Sequence, residues 1–276
     1  MKKDNVRKTD FKENERPRTR FLQFFDIFKH RFVELMKISL LQAVFNMPLI
    51  GTLISFYSLV RSSSDINSLM TVFIITSICL LVSVIFSIVG LTGSFYCLKK
   101  IAYAEGEFAS SSYFVGLVEN WKKAVSIGFI AGISLSVTMI GSFFFYYKLS
   151  SVNAAIAGFG IAILVIQAMV VLMMSYYSIA QIVIYENKLK FILKNSFIFT
   201  LMRFQFNLPA FIIHPGVIVV LTSIMEITMF VAVGLIILFV SIGHLIWFLN
   251  ILSGFDKFIN KDYYPDYYKK GLYKEA

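Results

Sequence analysis

The sequence predicts an all-α, polytopic membrane protein: a bundle of about six transmembrane helices with short cytoplasmic interfacial helices. The first observation is composition, because 58% of the 276 residues are hydrophobic and 15% are charged, against about 25% charged in soluble domains. The second is the length of the apolar runs, which reach the roughly 20 residues that a helix needs to cross a bilayer. The third is the placement of the cations beside these runs, which indicates how the chain threads the membrane.

Six apolar runs are long enough to span a bilayer. They lie near 38–60, 69–96, 124–147, 154–185, 208–225 and 227–252. They divide the chain into a charged, flexible cytoplasmic N-terminal segment (1–20), a six-helix membrane domain (21–255) and a Tyr/Lys-rich cytoplasmic tail (256–276). The turn between the fifth and sixth spans is the weakest boundary, because only Thr222, Ser223 and Glu226 interrupt the apolar run there.

Lys and Arg are spread unevenly over the predicted loops. With six spans, 24 of the 26 fall on one side of the bilayer, and only Arg61 and Lys148 fall on the other. Since cytoplasmic loops carry the excess of cations, both termini are predicted to be cytoplasmic and the protein to lie in the cell membrane. The cations form no separate basic domain, so the net charge of +10 indicates the anionic inner leaflet as a partner and not nucleic acid.

Aromatic residues before the first span recur at helical spacing. They are Phe21, Phe24, Phe25, Phe28, Phe32 and Leu35, with Lys29 and Arg31 between them. This pattern is typical of a helix that lies in the headgroup plane. Similar segments at 114–123 and 191–197 precede the third and fifth spans. They indicate either a threefold hairpin repeat or the aromatic and basic residues common at membrane helix ends.

Small residues occur at steps of four in two spans. The third span carries Ala124, Gly128, Gly132 and Ser136, and the fourth carries Ala154, Gly158 and Ala162. Such spacing lets helix backbones approach closely. We therefore predict that these two helices pack against one another or against a partner helix, with Gly128, Gly132 and Gly158 at the contact.

The fifth span is the most unusual segment, because NLPAFIIHPG places prolines and a glycine beside His214 in one short apolar run. A broken helix there could expose a polar site near the membrane midplane, as in many transporters. Asn46, Gln167, His214 and His244 are the candidate members of such a site. The alternative interpretation is that the prolines only kink the helix and that the polar side chains join helices to each other.

The sequence contains no GxSxG, HExxH, P-loop or GxGxxG motif. The common signatures of hydrolysis, zinc chemistry and nucleotide binding are therefore missing. We expect a protein that is not an enzyme, with no catalytic residues, no cofactor and no metal site. Any ATPase that acts with this chain is expected to be a separate protein.

Two adjacent segments, GLTGSFYCLKKIAYAEGEF (90–108) and YFVGLVENWKKAV (113–125), resemble the YesL-like family of bacterial multipass membrane proteins, a domain of unknown function. FILKNSFIFTL (191–201) and FDKFINKDYYPDYY (255–268) extend the resemblance, which covers residues 21–268. It brings no catalytic residues. It implies an association with carbohydrate-uptake systems of the ATP-binding-cassette (ABC) type, whose permease subunits would be partners.

Two functions follow as hypotheses. The first is a non-enzymatic membrane accessory or regulatory protein, associated through the resemblance with a carbohydrate ABC-type uptake system. The alternative is a small-molecule transporter or channel whose site lies at the broken fifth helix. A hydrated cavity reaching His214 would favour the second hypothesis, and stable copurification with another membrane protein would favour the first.

Overall fold

The computed structural model describes residues 16–105, 109–212 and 229–273. Nearly all of these residues are helical and none of them forms a strand. The predicted all-α class is therefore confirmed.

The described residues form eight helices that we number in chain order. These are α1 (Arg20–His30), α2 (Phe32–Ser62), α3 (Ile66–Ala102), α4 (Ala109–Phe144), α5 (Ala154–Ile184), α6 (Leu189–Met202), α7 (Phe204–Phe211) and α8 (Met229–Phe255). A π-helical segment, Phe145–Leu149, extends α4. Beyond α8 the chain continues through a π-helical segment (Asp256–Asn260), a helical turn (Lys261–Tyr263) and a 3-10 turn (Pro265–Tyr267).

Four helical segments are long and apolar enough to cross a membrane. They are Phe32–Ser62, Ile66–Ala102, Ser110–Leu149 and Ala154–Ile184, and they correspond to the first four predicted spans. Large apolar side chains are exposed along all four, for example Met47, Ile78, Phe129 and Phe159. Lipid is the solvent that suits such a surface, because a monomeric soluble protein rarely exposes apolar patches of this extent.

The last two predicted spans are described only in part. The fifth begins within α7, and α8 contains 27 residues, enough for a helix of roughly 40 Å. His214 and the predicted turn around Glu226 lie outside the described residues. The count of six spans therefore stays a prediction.

Side-chain caps fix where two of the spanning helices begin. The Asp65 carboxylate accepts hydrogen bonds from the backbone N–H groups of Asn67 and Ser68, both at 2.9 Å. The Asn153 side chain accepts one from the N–H of Ile156 at 3.1 Å. These caps satisfy N–H groups that the first helical turn cannot satisfy itself. The Phe73 and Phe143 rings, with centroids 4.8 Å apart, join the start of α3 to the end of α4 and so place the α2–α3 and α4–α5 turns at one end of the bundle.

The other end, which we call the packed end, is formed by the start of α1 and the ends of α3, α5 and α8. The Gln23 side chain donates to the carbonyl of Ala102 at 2.7 Å. The N–H of Tyr273 donates to the carbonyl of Pro17 at 3.1 Å. The segment before α1 and the segment after α8 therefore touch at one end of the bundle.

Candidate functional site

Buried polar networks join the helices in the described part of the chain, and three of them are centred on Gln42, on Arg203 and on the Arg20–Asp256 pair. The Gln42 network lies between α2, α3 and α4. The Arg203 network lies between α5, α6, α7 and α8. The Arg20–Asp256 network lies in the packed end.

Gln42 is almost completely buried in α2. Its Oε1 accepts hydrogen bonds from Ser94 Oγ at 3.0 Å and from the Tyr113 hydroxyl at 3.3 Å. Its Nε2 donates to Asn46 Oδ1 and to the carbonyl of Ser87, both at 3.1 Å. All four hydrogen-bonding positions of this amide are thus occupied by neighbouring groups. This arrangement favours the interpretation of Gln42 and Asn46 as polar contacts between helices.

We predict that Gln42→Leu lowers the free energy of unfolding by about 2 kcal/mol, because buried groups on three helices lose their hydrogen-bond partner. Gln167→Leu is the matched control, since Gln167 makes a single interhelical bond, and we expect it to cost about 0.6 kcal/mol. Chemical unfolding in detergent measures both. Equal costs for the two variants would contradict the assignment of Gln42 as a junction of three helices.

The candidate site residues Asn46 and Gln167 bond to different neighbours. Asn46 Oδ1 accepts a hydrogen bond from Ser87 Oγ of α3 at 2.7 Å. Gln167 Nε2 donates to Ser134 Oγ of α4 at 2.7 Å. Each side chain therefore joins its own helix to a neighbouring one, and among the described residues no hydrogen bond joins Asn46 to Gln167.

His244 lies on α8 and is buried. Its ring packs edge-on against Phe95 and Tyr176, with centroids 6.1 and 6.0 Å away. His214, the fourth predicted member of the site, lies outside the described residues. The part of the chain that the structure describes thus places Asn46, Gln167 and His244 in three separate environments.

Gly128 and Gly132 lie where α4 crosses α3. A Cβ on Gly128 would be 2.8 Å from the Cα of Ile85, and one on Gly132 would be 2.9 Å from the carbonyl oxygen of Leu81. The predicted close packing of this stripe is thus present, with the second span as its partner. Gly158 differs, because a Cβ there would have nothing within 4 Å.

The predicted stripe of α5, Ala154, Gly158 and Ala162, is exposed and therefore does not form the contact with α4. The two helices pack instead through other groups, and the Thr138 hydroxyl lies 3.3 Å from the carbonyl of Leu164. Residue spacing shows that small residues share one helix face, but it does not show whether another helix covers that face. For this reason the prediction placed Gly158 at a contact that the structure does not show.

The Arg203 network was not predicted. Arg203 separates α6 from α7 and is 8% exposed. Its Nη1 donates to the backbone carbonyl of Asn250 at 2.7 Å and its Nη2 to Asn250 Oδ1 at 3.1 Å. Asn250 Nδ2 donates to Asn207 Oδ1 at 3.1 Å, and that oxygen also accepts from the Tyr177 hydroxyl at 2.9 Å.

The cation count did not identify Arg203 as a buried residue, because it grouped Arg203 with the solvated cations of a cytoplasmic loop. The sequence of α8 does contain a feature that is consistent with this contact. Asn250 and Gly254 are four residues apart and so share one helix face. A Cβ on Gly254 would overlap Arg203 Nη1, so a side chain at position 254 would force the guanidinium to shift.

The Arg20–Asp256 network closes the packed end. Arg20 Nε and Nη2 both donate to Asp256 Oδ2, at 3.0 and 2.9 Å. Asp256 Oδ1 accepts from Asn260 Nδ2 at 2.9 Å and from the N–H of Lys269 at 3.1 Å. The Tyr185 hydroxyl donates to Asn260 Oδ1. Burial raises the pKa of the Tyr185 phenol well above its usual value, so this donor keeps its proton.

The sequence after Asp256 is thus part of the packed structure and is more than a polar tail. Gly271 has φ +81°, a conformation that favours glycine, and it packs against the backbone of Ala102. Lys270 Nζ lies 2.7 Å from Glu105 Oε1. Arg20, which composition assigned to the flexible N-terminal segment, is buried at the centre of this end.

Together these features define the class of protein: a helical membrane protein whose described polar networks join helix to helix. Comparisons with protein-family models, with curated proteins and with solved structures find no match. The resemblance to the YesL-like family therefore stays a prediction, as does the partner that it implies.

Proposed function

We propose that the chain is a non-enzymatic accessory or regulatory protein of the cell membrane that binds the inner leaflet and other membrane proteins through its packed end. The observation that carries the proposal is the orientation of α1. Arg20 and Gln23 are buried against the bundle, whereas Phe21, Phe25 and Phe28 are exposed. An amphipathic helix in water shows the opposite arrangement.

Two other segments near the packed end expose the same kinds of side chain. The start of α4 exposes Phe114, Val118 and Trp121, and α6 exposes Phe191, Phe197, Ile198 and Leu201. Lysines accompany both segments. Aromatic and apolar faces bordered by cations suit the boundary between anionic headgroups and acyl chains, where each cation contributes about 1 kcal/mol of attraction.

The proposal includes six spans with both termini in the cytoplasm. Its support is the contact between Pro17 and Tyr273, which agrees with an even number of passages, together with the cation count of the predicted loops. The 27 residues of α8 supply a last passage towards the packed end. The fifth predicted span, 208–225, would supply the passage before it.

A membrane-protein partner is the second part of the proposal. The resemblance to the YesL-like family suggests the permease subunits of a carbohydrate ABC-type uptake system. The exposed aromatic faces of α1 and α6 offer such a subunit a surface continuous with the membrane boundary. Interfaces of this kind are enriched in aromatic residues.

Copurification from native membranes in mild detergent tests the partner. We expect a membrane protein to be recovered with the chain, and to be lost when Phe25 and Phe28 are both replaced by Ser. Replacing Phe159 and Ile163 by Ser, exposed positions on α5, is the matched control and should leave recovery unchanged. Repeated recovery of the chain alone, with and without crosslinking, would contradict the proposal.

A transporter or channel is the second candidate, and the break between α6 and α7 favours it. Discontinuous helices often mark transport sites, and buried Arg203 and Asn207 lie at this break. Single cysteines at Asn207 and Asn250, probed with a small water-soluble thiol reagent, separate the two candidates. Rapid labelling of both would favour a hydrated pathway, and protection of both would exclude it.

A further inference from the structure

We propose that Arg203 is the binding site of a phosphate group, carried either by an anionic phospholipid headgroup or by a soluble phosphate. The inference goes beyond the proposed function, because it concerns a small anion and no partner protein. It starts from the charge balance of the two buried arginines.

Arg20 and Arg203 are buried to the same degree, at 7% and 8% exposure. Arg20 has a carboxylate partner, Asp256, at 2.9 Å. Among the described residues, no Asp or Glu forms an ion pair with Arg203, whose side-chain hydrogen bonds there go to Asn250. A buried cation without a counter-charge costs several kcal/mol, so an anion at Arg203 would supply a charge that the described residues do not.

The Arg203 guanidinium is held in place, and it keeps N–H donors that Asn250 does not occupy. Asn250 occupies one N–H on each of its two terminal nitrogens, and a guanidinium carries five N–H donors. The ring of Phe206 lies 5.3 Å from the guanidinium carbon, a distance at which the aromatic face attracts a cation. The planar guanidinium is thus held in one orientation, and its remaining N–H donors suit two oxygens of a phosphate.

The side chains around Arg203 suit an anion that carries acyl chains. Leu201, Phe204 and Phe206 beside Arg203 are exposed, and together they offer an apolar surface next to the charge. Because α7 begins at the residue after Arg203, the positive end of its dipole adds to the guanidinium charge. The lipid form of the proposal rests on the proposed placement of the packed end at the inner leaflet.

The test uses the purified full chain. Thermal unfolding is followed in nanodiscs of phosphatidylcholine with and without phosphatidylglycerol, and in detergent with and without inorganic phosphate. Native mass spectrometry counts the retained lipids. We expect phosphatidylglycerol to raise the unfolding temperature and to stay bound, and Arg203→Gln to weaken retention about tenfold or more. Lys148→Gln, at an exposed cation at the opposite end of the bundle, should change neither result.

Asn250→Asp provides a second, independent variant. It places a carboxylate beside the guanidinium, so its unfolding temperature should no longer depend on added phosphatidylglycerol or phosphate. Stabilisation of the wild-type chain by inorganic phosphate alone, lost in Arg203→Gln, would assign the site to a soluble anion. The proposal is overturned if Arg203→Gln retains phosphatidylglycerol and responds to phosphate like the wild type, or if Asn250→Asp keeps the full anion dependence. Because no partner protein is present, these outcomes are independent of the copurification result.

Discussion

Asp256→Asn is expected to destabilise the folded chain by about 3–5 kcal/mol, the usual cost of removing one member of a buried ion pair. The Arg20 and Asp256 side chains are only 6% and 10% exposed. Asn at this position keeps the size of the side chain but leaves the Arg20 charge buried without its partner. Arg20→Gln should cost a similar amount, and the double variant should cost less than the sum of the two.

Glu105→Gln is the matched control for this prediction. It breaks the Lys270–Glu105 pair, whose side chains are 36% and 38% exposed, so the expected cost is about 0–1 kcal/mol. Equilibrium unfolding in detergent measures all four variants. If Asp256→Asn costs no more than Glu105→Gln, the buried pair does not hold the packed end together.

Gly132→Leu is expected to separate α3 from α4 and to lower the free energy of unfolding by about 1–3 kcal/mol or more. A Cβ at this position would be 2.9 Å from the Leu81 carbonyl oxygen and 3.0 Å from its Cα. Both are backbone atoms, so no side-chain rotation relieves the overlap. Gly128→Leu should act in the same way against the Cα of Ile85.

Gly158→Leu tests whether this effect comes from the contact or from the loss of a glycine. Because nothing lies within 4 Å of a Cβ at Gly158, we expect a change of no more than about 0.5 kcal/mol. Unfolding midpoints measured side by side give the comparison. A loss at Gly158 as large as that at Gly132 would show that the α3–α4 crossing is not the cause.

The fold class could be predicted from sequence because a bilayer imposes a simple rule. Runs of about 20 apolar residues have to be helical, since every backbone polar group must be satisfied inside the segment. The first four runs are helices in the structure. The first three of these helices are longer than the predicted spans, because hydropathy marks only the apolar part and α4 also includes Trp121 and Lys122.

The buried ion pair could not be predicted in this way. Arg20 and Asp256 are separated by 236 positions along the chain, and nothing local distinguishes Arg20 from the other cations of the N-terminal segment. Arg203 was missed for the same reason, since a cation count assumes solvated side chains. Both residues are identified only when helices distant in sequence are brought together.

The role of the intramembrane polar residues could be predicted only in part. The sequence left Asn46 and Gln167 open to two interpretations, a shared polar site or contacts between helices. Their bonds to Ser87 and Ser134 support the second interpretation. Sequence could not decide, because composition names the polar side chains but does not show which neighbour each one reaches.

The central claim is that the two flanks of the bundle share one face of the membrane and that this face is cytoplasmic. Labelling of single cysteines on intact cells with a membrane-impermeant maleimide, in a chain without its native cysteines, tests it directly. Cysteine at Ser151, in the α4–α5 turn, should react from outside. Cysteine at Tyr263, which is 75% exposed beyond α8, should react only after the membrane is permeabilised. Reaction of the Tyr263 position from outside, or of both positions from the same side, would contradict the account.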